Sequence, residues 1–172
     1  MFNKLKQRFA DMGTIKTLCE RAEAAAHEQH QGRPGAEHFV LAALDLSDGS
    51  AKRVFSKLGI SGADFRRALR DVHHKALNAA GVGAEQIVLS EQNVPPLPHP
   101  AGIYDAAPSG QAVLQGLAAL RQRGVRGPLL SVHVLEVVSA MQHGTTNSAF
   151  QLLGHNQPSV MAAIQSEMVL AA

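Results

Sequence analysis

A gapless internal repeat restricts this chain more than any other feature of its sequence. The stretch Gly35-Ala36-Glu37-His38-Phe39-Val40-Leu41-Ala42-Ala43-Leu44 returns in diverged form as Leu130-Ser131-Val132-His133-Val134-Leu135-Glu136-Val137-Val138-Ser139. His133 lies 95 positions after His38, and the same spacing sets Gly32 on Gly127, Gly49 on Gly144, Phe55 on Phe150, Leu58 on Leu153 and Gly59 on Gly154. Such agreement in one register marks a duplicated supersecondary unit. One unit alone cannot bury its apolar face, so the two copies are expected to share a core.

Each copy reads as four helices. From Thr14 to about His30 the residues Ile15, Leu18, Ala22, Ala25 and Ala26 follow one helical face, and Gly32-Arg33-Pro34-Gly35 breaks it. A second helix is predicted from about Ala36 to Leu46, with Glu37 in the first turn, where the helix dipole favours a carboxylate. After the turn Ser47-Asp48-Gly49-Ser50, Val54, Phe55 and Leu58 make a short third helix that stops at Gly59. Ser61 caps a fourth, with Phe65, Ala68, Leu69, Val72, Ala76 and Leu77 at helical period. Ahead of these, Phe2, Leu5 and Phe9 predict a separate short helix lying on the domain.

A connector containing Pro95, Pro96, Pro98, Pro100 and Pro108 separates the units. The second unit begins with Ser109 as the expected cap of a helix carrying Val113, Leu114, Leu117 and Leu120. The copy of the Glu37 helix follows from about Ser131 to Gln142, then a short helix with Phe150, Leu152 and Leu153, then a last helix from Gln157 to Leu170. No segment alternates with period two. The expectation is an all-α single domain over residues 1–172: repeat one at about 11–79, the connector at about 80–108 and repeat two at about 109–170, related by a pseudo-twofold axis.

Composition narrows the function classes. A net charge of +2 and an aromatic content of 4% supply neither the basic stripe nor the stacking platforms of a nucleic-acid binder. The single Cys19 excludes an internal disulfide framework and suits a reducing, cytoplasmic compartment. No apolar run is long enough for a membrane span or a signal peptide.

The order of motifs, a helix, then Gly-x-x-Gly-Ala-Glu-His, an apolar helix, a Gly-Ser-Ala turn, a short helix ending Leu58-Gly59-Ile60 and a long helix, resembles the Clp ATPase N-terminal domain family, a double-repeat module of bacterial Clp unfoldases. The resemblance covers about Asp11 to Ala79 closely and Pro108 to Met168 more loosely. It implies an eight-helix domain that recruits substrates or adaptors to a protease machine. The chain has no Gly-rich phosphate loop ending Gly-Lys-Ser/Thr, so it reads as a stand-alone member without the ATPase module, with neither enzymatic activity nor a cofactor. The partners implied are proteins or peptides, among them Clp unfoldase or protease components and arginine-phosphorylated proteins. The alternative reading is a helical ligand-sensing or nucleic-acid-binding regulator that uses Arg66-Arg67-Arg70 and Arg121-Arg123-Arg126.

In some members of that family the Glu of each Glu-His motif binds phosphorylated arginine. Here Glu37 keeps the motif and Val132 replaces it in the second repeat, so a single asymmetric site is expected, with Arg33 the nearest cation in sequence and Val132→Glu the change expected to create a second, weaker site. His38 and His133 recur at equivalent places and read as structural. His27 and His30 stand three apart on one helical face and His73 and His74 are adjacent, with Glu23 or Asp71 nearby, but nothing in the sequence brings third and fourth ligands together, so no metal site is assigned. Cys19, flanked by Glu20 and Glu23, reads as a core residue rather than a nucleophile.

Overall fold

The computed structural model describes residues 2–81, 104–125, 127–141 and 144–171, with side chains from Ala10 to Leu170. Most of the expected proline-rich connector therefore lies outside the described residues. The described chain is all-helical, in the order α1 (Phe2–Glu28), α2 (Ala36–Leu44), α3 (Ser50–Lys57), α4 (Gly62–Ala79), α5 (Pro108–Gln122), α6 (Ser131–Ala140), α7 (Thr145–Leu152) and α8 (Gln157–Ala171). At the spacing of the repeat, the bounds of α3 map onto those of α7, and the starts of α2 and α4 onto those of α6 and α8.

Local chemistry explains these bounds. Ser61 Oγ accepts from the Asp64 amide at 3.1 Å while Asp64 Oδ2 accepts from the Ser61 amide at 3.0 Å, a reciprocal cap that starts α4. In α2 the third residue does the same with an imidazole: His38 Nδ1 accepts from the Gly35 amide at 2.9 Å. The copy is faithful, since His133 Nδ1 accepts from the Leu130 amide, also at 2.9 Å. Helices α3 and α7 end alike. Gly59 and Gly154 take φ of 69° and 85°, and the next amides, Ile60 and His155, reach back to the Phe55 and Phe150 carbonyls at 3.1 and 2.9 Å.

Two expectations need correction. The predicted short N-terminal helix and the first repeat helix are one continuous element, α1; Gly13 costs roughly 1 kcal/mol of helix preference and that is too little to break a long helix. Ser109 does not cap its own helix, because α5 begins with Pro108 at a position that needs no amide donor, and the Ser109 hydroxyl accepts instead from the Ala36 amide at 3.2 Å.

Helices α2 and α6 pack on each other at the centre, and nearly all their residues are buried. The outer helices cross between the halves: α3 packs on α8, and α4 on α7. Phe55, Phe65 and Phe150 close one such crossing, with ring centroids 5.1 to 5.8 Å apart. The other is tied by Glu167, only 1% exposed, which meets Arg53 Nε at 2.6 Å and Lys57 Nζ at 3.0 Å. Burial opposes ionisation of Glu167, but these two cations outweigh it and hold its carboxyl below the usual range. One hydrophobic core spans both halves, as the repeat requires.

Candidate functional site

Each α2-type helix starts opposite an α3-type helix of the other half, and the two facing pairs have opposite chemistry. Where α3 faces α6, Asp48 fills the space between the two N-termini. Its carboxylate accepts from the amides of Ser50 at 3.0 Å and Ser131 at 3.1 Å, and from both hydroxyls, that of Ser131 at 2.8 Å. The serines complete the joint by exchange: Ser131 Oγ accepts from the Ala51 amide and Ser50 Oγ from the Val132 amide, each at 2.9 Å. Burial works against ionisation of Asp48, yet these donors prevail and its carboxyl sits below the ordinary carboxylate range. The sequence gives no hint of this hub, because its donors come from opposite halves of the chain.

Val132, at the place equivalent to Glu37, is fully buried under this joint. Val132→Glu would therefore place a carboxylate in the core rather than beside a cleft.

Where α2 faces α7, the space is open. A cleft of about 90 Å³ is lined by Ala36, Glu37, Ser109, Gly144, Thr145 and Thr146, among others. Helix α7 begins at Thr145, and Gly144 ahead of it supplies no side-chain cap, so its N-terminal end turns amide donors and positive potential to this cleft. Glu37 and Thr145 also line a groove of about 600 Å³ that runs between the end of α1 and α4. The Glu37 side chain is 12% exposed. Burial pushes its carboxyl up from the usual range, against a hydrogen bond from its own backbone and the field of His73.

Glu37 lacks a strong cationic partner. Its Oε1 lies 3.7 Å from His38 Nδ1, but that nitrogen accepts from the Gly35 amide, and burial lowers the His38 pKa to about 4, so the imidazole is neutral. Nδ1 as acceptor leaves the proton on Nε2, which is buried with no hydrogen-bond partner among the described residues. Arg33 is not drawn to Glu37: its Nε meets Asp105 Oδ2 at 3.0 Å, and it lines neither cavity. Arg66 and Arg70 share the groove with Glu37, together with His30, His73 and His74.

The remaining candidates sort by geometry. Arg121 is engaged with Asp11 and donates to the Val125 carbonyl at 2.8 Å, while Asp11 also accepts from the Leu129 amide at 3.0 Å. Arg126 lies outside the described residues. Cys19 is half-buried, and burial, then Glu23 and Glu20, push its thiol up against a hydrogen bond with Tyr104. Among the described residues no three ligating side chains gather around a common point that could hold a metal ion. No helix among them is long and apolar enough to cross a membrane.

No protein-family model matches the chain. No curated protein matches it either. Among solved structures it is similar to the Hsp104 N-terminal domain from Candida albicans, at 16% identity over 87% of this chain and 85% of that one, with a TM-score of 0.56. At that identity the likeness shows the fold alone, an all-helical domain like that N-terminal domain.

Proposed function

We propose that the chain is a non-enzymatic binding module that takes protein and peptide partners at Glu37, acting in the cytoplasm of a bacterium as an adaptor or regulator of Clp-dependent proteolysis. The observation that carries this reading is Glu37 itself: a largely buried carboxylate, destabilised by its surroundings, without a strong cationic partner among the described residues, at the junction of two cavities. A carboxylate kept in that state is suited to an incoming guanidinium, whose charge-assisted, bidentate pairing relieves the cost of burial. The uncapped start of α7 beside it suits a phosphoryl group, so phosphorylated arginine is a ligand whose two halves match the two sides of the cleft. The alternative of a ligand-sensing or nucleic-acid-binding regulator drew on two arginine clusters and the His-rich first unit; of those arginines, Arg121 is paired with Asp11.

Calorimetry with a phosphoarginine peptide and its unmodified arginine counterpart tests the reading. One site per chain is expected, with preference for the phosphorylated peptide, and Glu37→Ala should weaken binding by on the order of 1.5 to 3 kcal/mol. Two sites per chain, binding indifferent to Glu37→Ala, or no binding of either peptide would overturn it.

A further inference from the structure

The groove beside Glu37 has a charge pattern of its own. Arg66, Arg70, His73 and His74 follow at helical intervals along one face of α4 and form its basic wall, while Glu28 and Glu37 supply its acidic side and Leu69 and Val72 contribute apolar surface. Arg66 is half-buried and Arg70 exposed, and neither makes an ion pair among the described residues. From Arg66 to His74 the helix rises about 12 Å, the length of about four residues of extended peptide. The groove is continuous with the small cleft, since both include Glu37 and Thr145.

We propose that this groove seats an extended peptide segment whose arginine docks at Glu37 and whose neighbouring acidic side chains lie along Arg66 and Arg70. The inference rests on the Glu37 reading and adds to it the class of sequence that the site selects. Charge complementarity sets the occupant: two arginines without ion pairs among the described residues, next to a carboxylate with no strong cationic partner, match a chain that carries both signs. A nucleic acid fits the groove poorly. Its phosphates would face Glu28 and Glu37, and no Phe, Tyr or Trp among the described residues lines the groove to stack a base.

Fluorescence anisotropy with the full chain tests this. The probes are labelled peptides with one arginine followed, or preceded, by glutamates, and the same peptides with glutamine in place of glutamate. At low salt the better acidic peptide should bind roughly tenfold more tightly than its glutamine counterpart, the size of two or three partly exposed charge contacts. Arg66→Gln/Arg70→Gln should reduce that difference to less than about twofold, and Arg66→Glu/Arg70→Glu should invert it in favour of the glutamine peptide; circular dichroism verifies folding of both. Glu37→Ala should weaken both peptides alike. Equal binding of acidic and glutamine peptides to the wild type, persistence of the preference in both arginine variants, or tighter competition by a single-stranded oligonucleotide than by the acidic peptide would overturn the groove assignment. If the preference for acid persists but Glu37→Ala changes nothing, the Glu37 reading fails while the basic wall stands.

Discussion

Removing the Asp48 carboxylate should loosen the joint between the two halves, and the structure sets the size of the effect. Asp48→Ala leaves the Ser50 and Ser131 amides, at the first turns of α3 and α6, without their acceptor. Each lost cap costs about 1 kcal/mol, and each helix N-terminus loses roughly a further 0.5 kcal/mol of interaction with the charge, so about 3 kcal/mol is expected. Water offsets part of this, because the site is only half-buried, while the serine exchange survives through Ser50 Oγ and Ser131 Oγ, 3.0 Å apart. Asp48→Asn keeps one acceptor oxygen and loses the charge, so it should cost about half as much. Urea unfolding at neutral pH measures both, with a lowered midpoint and an unchanged slope. The pH dependence supplies a second arm. The folded-state pKa of Asp48 is depressed, so its contribution is fully present above the unfolded carboxylate value and is lost as pH falls through the lower folded value. Below about pH 4 the wild type should therefore lose stability that Asp48→Asn has already lost, and the two curves should converge. Asp48→Ala within about 0.5 kcal/mol of wild type, or curves that stay parallel in acid, would refute the assignment of Asp48 as the joint.

Glu37→Gln should raise stability at neutral pH by roughly 1 kcal/mol while weakening ligand binding, because the raised folded pKa means that folding penalises the charged form at every pH above the unfolded value; urea midpoints at pH 4 and pH 7 report the sign, and a destabilised variant would contradict it. His38 should make the fold acid-sensitive in a different window: with a folded pKa near 4 against the ordinary 6.5, stability on the order of 3 kcal/mol is present above pH 6.5 and lost on descent to pH 4, and His38→Asn should flatten that slope. Gly110→Ala should destabilise by about 2 kcal/mol despite alanine's helix preference, because its Cβ would stand 2.3 Å from the Pro34 carbonyl oxygen and 3.0 Å from the Phe39 ring; thermal unfolding that shows a gain would mean that α5 can shift freely.

The parts legible in the sequence are those that depend on neighbours in the chain. The Ser61 cap is readable because Asp64 stands three residues on, and the ends of α3 and α7 because Gly59 and Gly154 must take positive φ. Apolar periodicity located the core, and Phe39, Val40, Leu41 and Leu44 are all buried in it. Ser109 looked like a cap by the same local logic and is not one, since its hydroxyl serves Ala36 in the other half of the chain. Glu37 is legible as a carboxylate in a first turn, but its separation from Arg33 depends on Asp105, and only the packing of α4 brings Arg66 and Arg70 into the groove it lines. Pattern reading finds a residue's helix and face; it cannot find a partner brought in from a distant helix.

The repeat also explains why one chain can hold a joint and a cleft of similar backbone design. At the repeat spacing, Ser50 and Ala51 correspond to Thr145 and Thr146, and Ser131 and Val132 to Ala36 and Glu37. In the first set, two serines exchange hydroxyls for amides and one carboxylate, Asp48, neutralises both helix starts from inside, so the pair is closed. In the second set Ser131 has become Ala36, which removes one hydroxyl of the exchange, and buried Val132 has become Glu37, whose charge has no place in a closed core. The pair must then stay open, because closing it would bury a carboxylate with no strong cationic partner among the described residues. A single carboxylate thus has opposite consequences in the two places. Asp48, held by donors from two helix starts, keeps its charge at little cost; Glu37, with one hydrogen bond from its own backbone and no strong cationic partner among the described residues, has its carboxyl pushed up by burial.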